Sequence, residues 1–95
     1  MKRWTQIFKA FANINRVAII KILTLQERLS VTEIASELDI SLKATSKHLI
    51  ILHNLDVLGS KGKNNKVEYW LNADMPIDLK KTIRLFTQLK RFIML

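Results

Sequence analysis

The chain has 95 residues, 48% of them hydrophobic and 25% charged, with two glycines and one proline. That makes one small domain, near the size at which a single core holds a fold unaided, so a multidomain enzyme is excluded and a turn-rich all-β fold is disfavoured. Sixteen Lys and Arg against eight Asp and Glu leave a net charge of +8, which points to a polyanionic partner, nucleic acid first. The absence of cysteine removes disulfides, thiolate zinc sites and cysteine nucleophiles, and fits a reducing cytoplasm.

Trp4, Ile7, Phe8 and Phe11 fall at i, i+3, i+4 and i+7, which predicts a short amphipathic first helix over about residues 4–12. Met1-Lys2-Arg3-Trp4 resembles the start of an export signal, but Lys9 and Arg16 interrupt the apolar stretch behind it. No apolar run approaches membrane-spanning length, so neither an export signal nor a membrane anchor is expected. Asn15 is a good N-cap for a second helix over 16–26, whose Val17, Ala18, Ile19, Ile20, Ile22 and Leu23 are apolar nearly all round and mark it as central. Ser30 followed by Glu33 forms a capping-box pattern that opens a third helix, Val31 to Leu38.

Asp39-Ile40-Ser41 breaks the period, because Asp tolerates the left-handed conformation and Ser41 can cap the next helix, over about 42–54. In that fourth helix Thr45, Leu49 and Leu52 face one way and Lys43, Ser46, Lys47 and Ile50 the other, so one face is core and the other is available. Residues 57–61 and 67–71 read as two strands around the basic tip 62–66. Asp74 is suited to cap a last helix, with Pro76 in its first turn, running over about 76–95. Leu79, Ile83, Leu85, Phe86, Leu89, Phe92 and Ile93 cover roughly half of that helix, with Lys80, Arg84 and Arg91 on the other side.

The predicted order α-α-α-α-β-β-α in one unit, mainly α within the α+β class, describes a winged helix-turn-helix. The residues also carry a family resemblance. Phe11-Ala12-Asn13-Ile14-Asn15-Arg16 is similar to the opening Leu-Ala-Asp-Pro-Thr-Arg segment of ArsR-type transcriptional regulators. Residues 34–41, with Ser46-Lys47-His48-Leu49 and Leu52, resemble their helix-turn-helix, and Tyr69-Trp70-Leu71 the end of their wing. The resemblance covers about residues 8–72 and implies a dimeric DNA-binding regulator, often a repressor released by a ligand or metal.

Departures from that pattern bear on the effector. Ser30-Val31-Thr32 stands where the metal-sensing branch has Cys-Val-Cys, and no His accompanies Asp78 from Pro76 onward, so neither a soft-metal nor a zinc site is expected. Asp39, Asp56 and Asn64 stand where the family prefers Gly.

On the recognition helix Lys43 and Lys47 can donate to guanine, and Ser41 and Ser46 are placed for DNA contact, but its first two turns hold no Arg, Asn or Gln. His48 reads either as a phosphate contact or as a structural hydrogen-bonding residue. Leu42 can touch a thymine methyl or pack beneath the turn, and burial statistics favour packing. Lys61, Lys63 and Lys66 are expected to meet phosphates from the wing. Trp4, Phe8 and Phe11 together with Phe86, Leu89 and Phe92 exceed what one small core buries, which predicts a homodimer held by the terminal helices.

The expected function is therefore a cytoplasmic, sequence-specific transcriptional regulator, acting as a repressor without a cofactor on double-stranded DNA, its effector unassigned. The rival is a winged-helix protein-interaction module without specific DNA binding. A membrane-surface role through the stripe Lys80, Arg84 and Arg91 is a more distant alternative. No Gly-rich phosphate loop, nucleophile elbow or paired-carboxylate constellation argues for an enzyme.

Overall fold

The computed structural model describes residues 2–93, including every side chain among them except Phe86 and residues 88–93. Helix α1 spans Lys2–Phe11 and turns Ile7 and Ala10 inward. Only Ala12 and Asn13 separate it from α2, Ile14–Leu25. Asn13 is therefore the residue left in extended backbone to cap α2, and its side chain accepts from the Asn15 and Arg16 N–H groups at 3.0 and 3.2 Å. The cap expected at Asn15 lies two residues earlier, because α1 stops at Phe11 and α2 starts at once.

After α2 the chain forms a two-residue strand, β1, Leu29–Ser30, which the sequence pattern does not announce. Ser30 then caps α3, Val31–Leu38, in the expected reciprocal box: the Glu33 N–H donates to Ser30 Oγ at 3.1 Å and the Ser30 N–H to Glu33 Oε1 at 2.9 Å. Helix α3 ends at Asp39, which is left-handed at φ 54°. Ser41 caps α4, Leu42–Asn54, through Ala44 N–H to Ser41 Oγ at 3.0 Å. Thr45, Leu49 and Leu52 point into the core as predicted, and the Thr45 hydroxyl is satisfied by the Ser41 carbonyl at 2.8 Å.

Strands β2, Leu58–Lys63, and β3, Lys66–Leu71, pair antiparallel, with β1 on the far side of β3. Their connection is Asn64-Asn65 alone, shorter than the expected five-residue tip, with φ of 50° and 64°. Two successive left-handed residues make the hairpin turn whose twist matches the strands, and Asn is among the few side chains that accept it. Asp39, Asp56 and Asn64, the three positions read as standing where the family prefers Gly, all take positive φ, a conformation that Asp and Asn tolerate better than most residues.

Helix α5 runs Ile77–Ile93. The Pro76 carbonyl accepts from the Leu79 and Lys80 N–H groups at 3.0 and 3.1 Å, so the helix boundary lies at Pro76. Asp74, expected as the cap, instead donates its N–H to Asn72 Oδ1 at 3.0 Å within the preceding turn. Leu79 and Ile83 join Ile7, Ile19, Ile20, Leu23, Ile34, Leu49, Leu52, Val57, Leu58 and Tyr69 in one core that every helix enters. Among the described residues, no helix is long and apolar enough to cross a membrane.

Candidate nucleic-acid interface

The face of α4 opposite Thr45, Leu49 and Leu52 is polar and open: Lys43 and Lys47 are exposed, Ser46 is half-buried, and Ser41 is exposed at the N-terminal end. Helical spacing puts Lys43 and Lys47 one above the other, so both ammonium groups extend from one stripe. Ser41 is engaged as the cap through its oxygen lone pair, which leaves its hydroxyl proton for an external acceptor.

In the wing, the ladder pairs Lys61 with Glu68 and Lys63 with Lys66. Alternation along the strands puts these three lysines on the hairpin face away from Leu58 and Tyr69, and all three are exposed. Lys63 directly opposite Lys66 is a like-charge cross-strand pair, which costs stability unless an anion lies against it. Asn65, Lys66 and Val67 of the wing and Leu42 and Ser46 of α4 line one cleft of about 250 Å³ together with Ser30, Val31 and Thr32. The recognition helix and the wing tip thus open onto a single surface.

Sequence reasoning left His48 between two roles and missed its partner. Arg16 on α2 donates through Nε to the Ala10 carbonyl at 2.6 Å and through Nη2 to the Lys9 carbonyl at 3.1 Å, while its Nη1 lies 3.1 Å from His48 Nδ1. A guanidinium only donates, so Nδ1 is the acceptor and the imidazole proton sits on Nε2. Burial, and after it the Arg16 charge, hold the His48 pKa below its usual value, so the ring is neutral near pH 7. His48 has the structural bond, and its Nε2–H is the group left to donate. The Phe11-to-Arg16 segment contained this signal, but only the fold brings Arg16 to α4.

A second unforeseen group supports the wing. Arg28 stacks 4.1 Å over the Trp70 ring and lies 3.9 Å from Glu68. Gly59 faces Trp70 across the ladder, where a Cβ would meet the indole Nε1 at 2.5 Å.

Ser30 and Asp78, the positions that the resemblance set against metal sites, make other contacts. Ser30 is in the capping box, and Asp78 accepts from Arg3 Nε at 3.1 Å and Nη2 at 3.0 Å, which holds its carboxyl below the usual range. No group of three or more His, Cys, Asp or Glu that could hold a metal ion occurs among the described residues.

On the terminal helices, the Trp4 and Phe8 rings lie tilted at 33° with centroids 5.8 Å apart and are 37% and 64% exposed, while Phe11 is partly buried against the chain's own core. The side chains of Phe86, Leu89 and Phe92, and that of Arg91, lie outside the described residues. Lys80, Arg84 and Leu85 are exposed on α5.

A helix-turn-helix followed by a basic hairpin defines the winged helix-turn-helix class of DNA-binding domains. Residues 13–59 match the model of the bacterial regulatory protein arsR family. HlyU from Vibrio cholerae is 31% identical, covering 93% of this chain and 91% of its own, with a TM-score of 0.77. The transcriptional regulator HlyU from Vibrio vulnificus is 30% identical over 93% of this chain and 88% of its own, with a TM-score of 0.71. A homodimeric winged helix-turn-helix DNA-binding domain from Mycobacterium bovis shares the fold at 20% identity, covering 95% of this chain and 80% of its own, with a TM-score of 0.78. No curated protein sequence matches the chain. The chain belongs to the arsR family and is a DNA-binding transcription regulator.

Proposed function

We propose that this regulator acts as a homodimeric repressor, with α4 in the major groove and the wing on the flanking backbone. The carrying observation is the shared surface: α4 and the wing tip border one cleft, with exposed lysines on both. In this reading Lys43 and Lys47 read bases, Ser41, Ser46 and His48 steady the helix on phosphates, and Lys61, Lys63 and Lys66 clamp the backbone. The repressor role rests on the family resemblance alone.

Dimerisation through α1 and α5 is supported by the exposed Trp4 and Phe8 and by Arg3–Asp78, which joins the two helices beside them. The homodimeric Mycobacterium bovis neighbour adds precedent for the fold in that state. An interface of this kind places two α4 helices on half-sites about one helical turn of DNA apart.

Fluorescence anisotropy on a preferred duplex and on random duplex, across a salt series, tests the assignment. Lys43→Ala or Lys47→Ala is expected to cost about 1–3 kcal/mol on the preferred duplex and little on random DNA. Each wing Lys→Ala is expected to weaken both duplexes alike and to lower the salt slope by about one. Wing variants that change sequence preference while the α4 variants do not would reverse the assignment, and absence of binding at low salt would favour a protein-interaction module.

A further inference from the structure

Leu42 is the first residue of α4 and is 54% exposed. Packing beneath the turn, the role favoured by burial statistics, is thus not what the side chain does; it borders the cleft with Ser46 and Lys66. An exposed leucine alone carries no message, since much of any protein surface is apolar. Its position does, because it stands at the N-terminal end of α4 at the edge of the basic face, with Ser46 one turn on and both bordering the cleft that the wing tip shares.

The base readers available on that helix are few. From Leu42 to His53, α4 has no Arg, Asn or Gln, so hydrogen-bond readout of bases falls to Lys43 and Lys47, whose best partner is guanine. An adenine–thymine pair finds no bidentate partner there. It does present one apolar group in the major groove, the thymine 5-methyl, and an exposed branched aliphatic side chain at the leading end of the helix is the chemistry that fits it.

We propose that Leu42 is a specificity-determining residue that reads thymine by packing against its 5-methyl group. The inference rests on the placement of α4 in the major groove. At Leu42 a methyl contact adds a preference for A·T pairs next to lysine-read guanines, which compensates for the missing amide and guanidinium readers.

The test starts from the tightest duplex selected from a random pool, with each thymine replaced singly by deoxyuridine, which removes the methyl and keeps the base pair. The native protein is expected to bind about four-fold more weakly at one position in each half-site, the affinity equivalent of one buried methyl group. In Leu42→Ala the thymine-to-deoxyuridine ratio at that position is expected to fall to one, whereas Leu42→Met and Lys43→Ala keep it. Thermal melting of each variant separates a lost contact from a lost fold, and Leu42→Met keeps the test open if Leu42→Ala melts early. A ratio near one at every position, an undiminished ratio in a folded Leu42→Ala, or a selected site without thymine overturns the proposal. Absence of binding to any duplex at low salt would instead overturn the DNA placement beneath it.

Discussion

Gly59→Ala probes how the wing is held. The added Cβ would lie 2.5 Å from Trp70 Nε1, 2.7 Å from Cε2 and 3.1 Å from Cζ2, so the indole must move by about 1 Å to restore ordinary carbon contact distances of about 3.5–4.0 Å. Moving the ring disturbs the Arg28 guanidinium stacked 4.1 Å above it, a contact worth about 0.5–1 kcal/mol at exposed sites. Overpacking costs about 1–3 kcal/mol, and the reduced chain entropy of Ala relative to Gly returns about 0.5–1 kcal/mol. The net expectation is a loss of about 1–3 kcal/mol, with the midpoint lowered by about 4–8 °C for each kcal/mol.

Circular-dichroism melts at one fixed protein concentration measure it, since the midpoint of a dimer would depend on concentration. Gly62→Ala is the internal control, because a Cβ there would meet only the Lys66 carbonyl at 3.8 Å. It should melt at the native temperature or slightly above. A Gly59→Ala midpoint equal to that of Gly62→Ala would refute the claim that the indole closely limits this position.

Phe8→Asp, at a 64% exposed position, should leave the fold intact and convert a dimer of 11.1 kDa chains to monomers by light scattering; an unchanged mass would place the interface elsewhere. His48 has a folded pKa below its usual 6.5, so as pH falls from there the unfolded chain takes up the proton first and stability declines until the folded pKa is passed. Melts between about pH 7.5 and 5, above the range of the carboxylates, should show that decline in the native protein and a weaker one in His48→Gln; parallel curves would contradict it. Zinc, cadmium, arsenite and chelator should all leave DNA affinity unchanged in anisotropy titrations, and release by any metal at micromolar levels or below would reveal a ligand set not recognised among these residues.

Much of the site is legible in the sequence because it is written in local chemistry. Ser30 with Glu33, and Ser41 before an amphipathic stretch, need only their neighbours to act as caps, and the α4 faces follow from spacing alone. Asn64-Asn65 is equally local, since two adjacent asparagines can form a two-residue turn, yet the polar lysines beside them read as loop although they belong to the strands. What escapes is long-range. Strand β1 exists only because Leu29 and Ser30 meet Tyr69 and Glu68, and the Arg16–His48 bond joins residues 32 apart in sequence. The Asn13 cap escapes for a subtler reason: two capping-competent residues stand two apart, and where α1 ends decides between them.

The Arg16 bridge also has a geometric consequence. One guanidinium holds two carbonyls at the end of α1 and the imidazole of α4, so the recognition helix is braced against the helix proposed to meet its twin. In such a dimer the spacing of the two reading heads belongs to the protein and does not adapt freely to the DNA. Inserting or deleting one base pair between half-sites then asks the duplex to twist, since the brace resists; the DNA's own torsional stiffness becomes part of what the regulator measures.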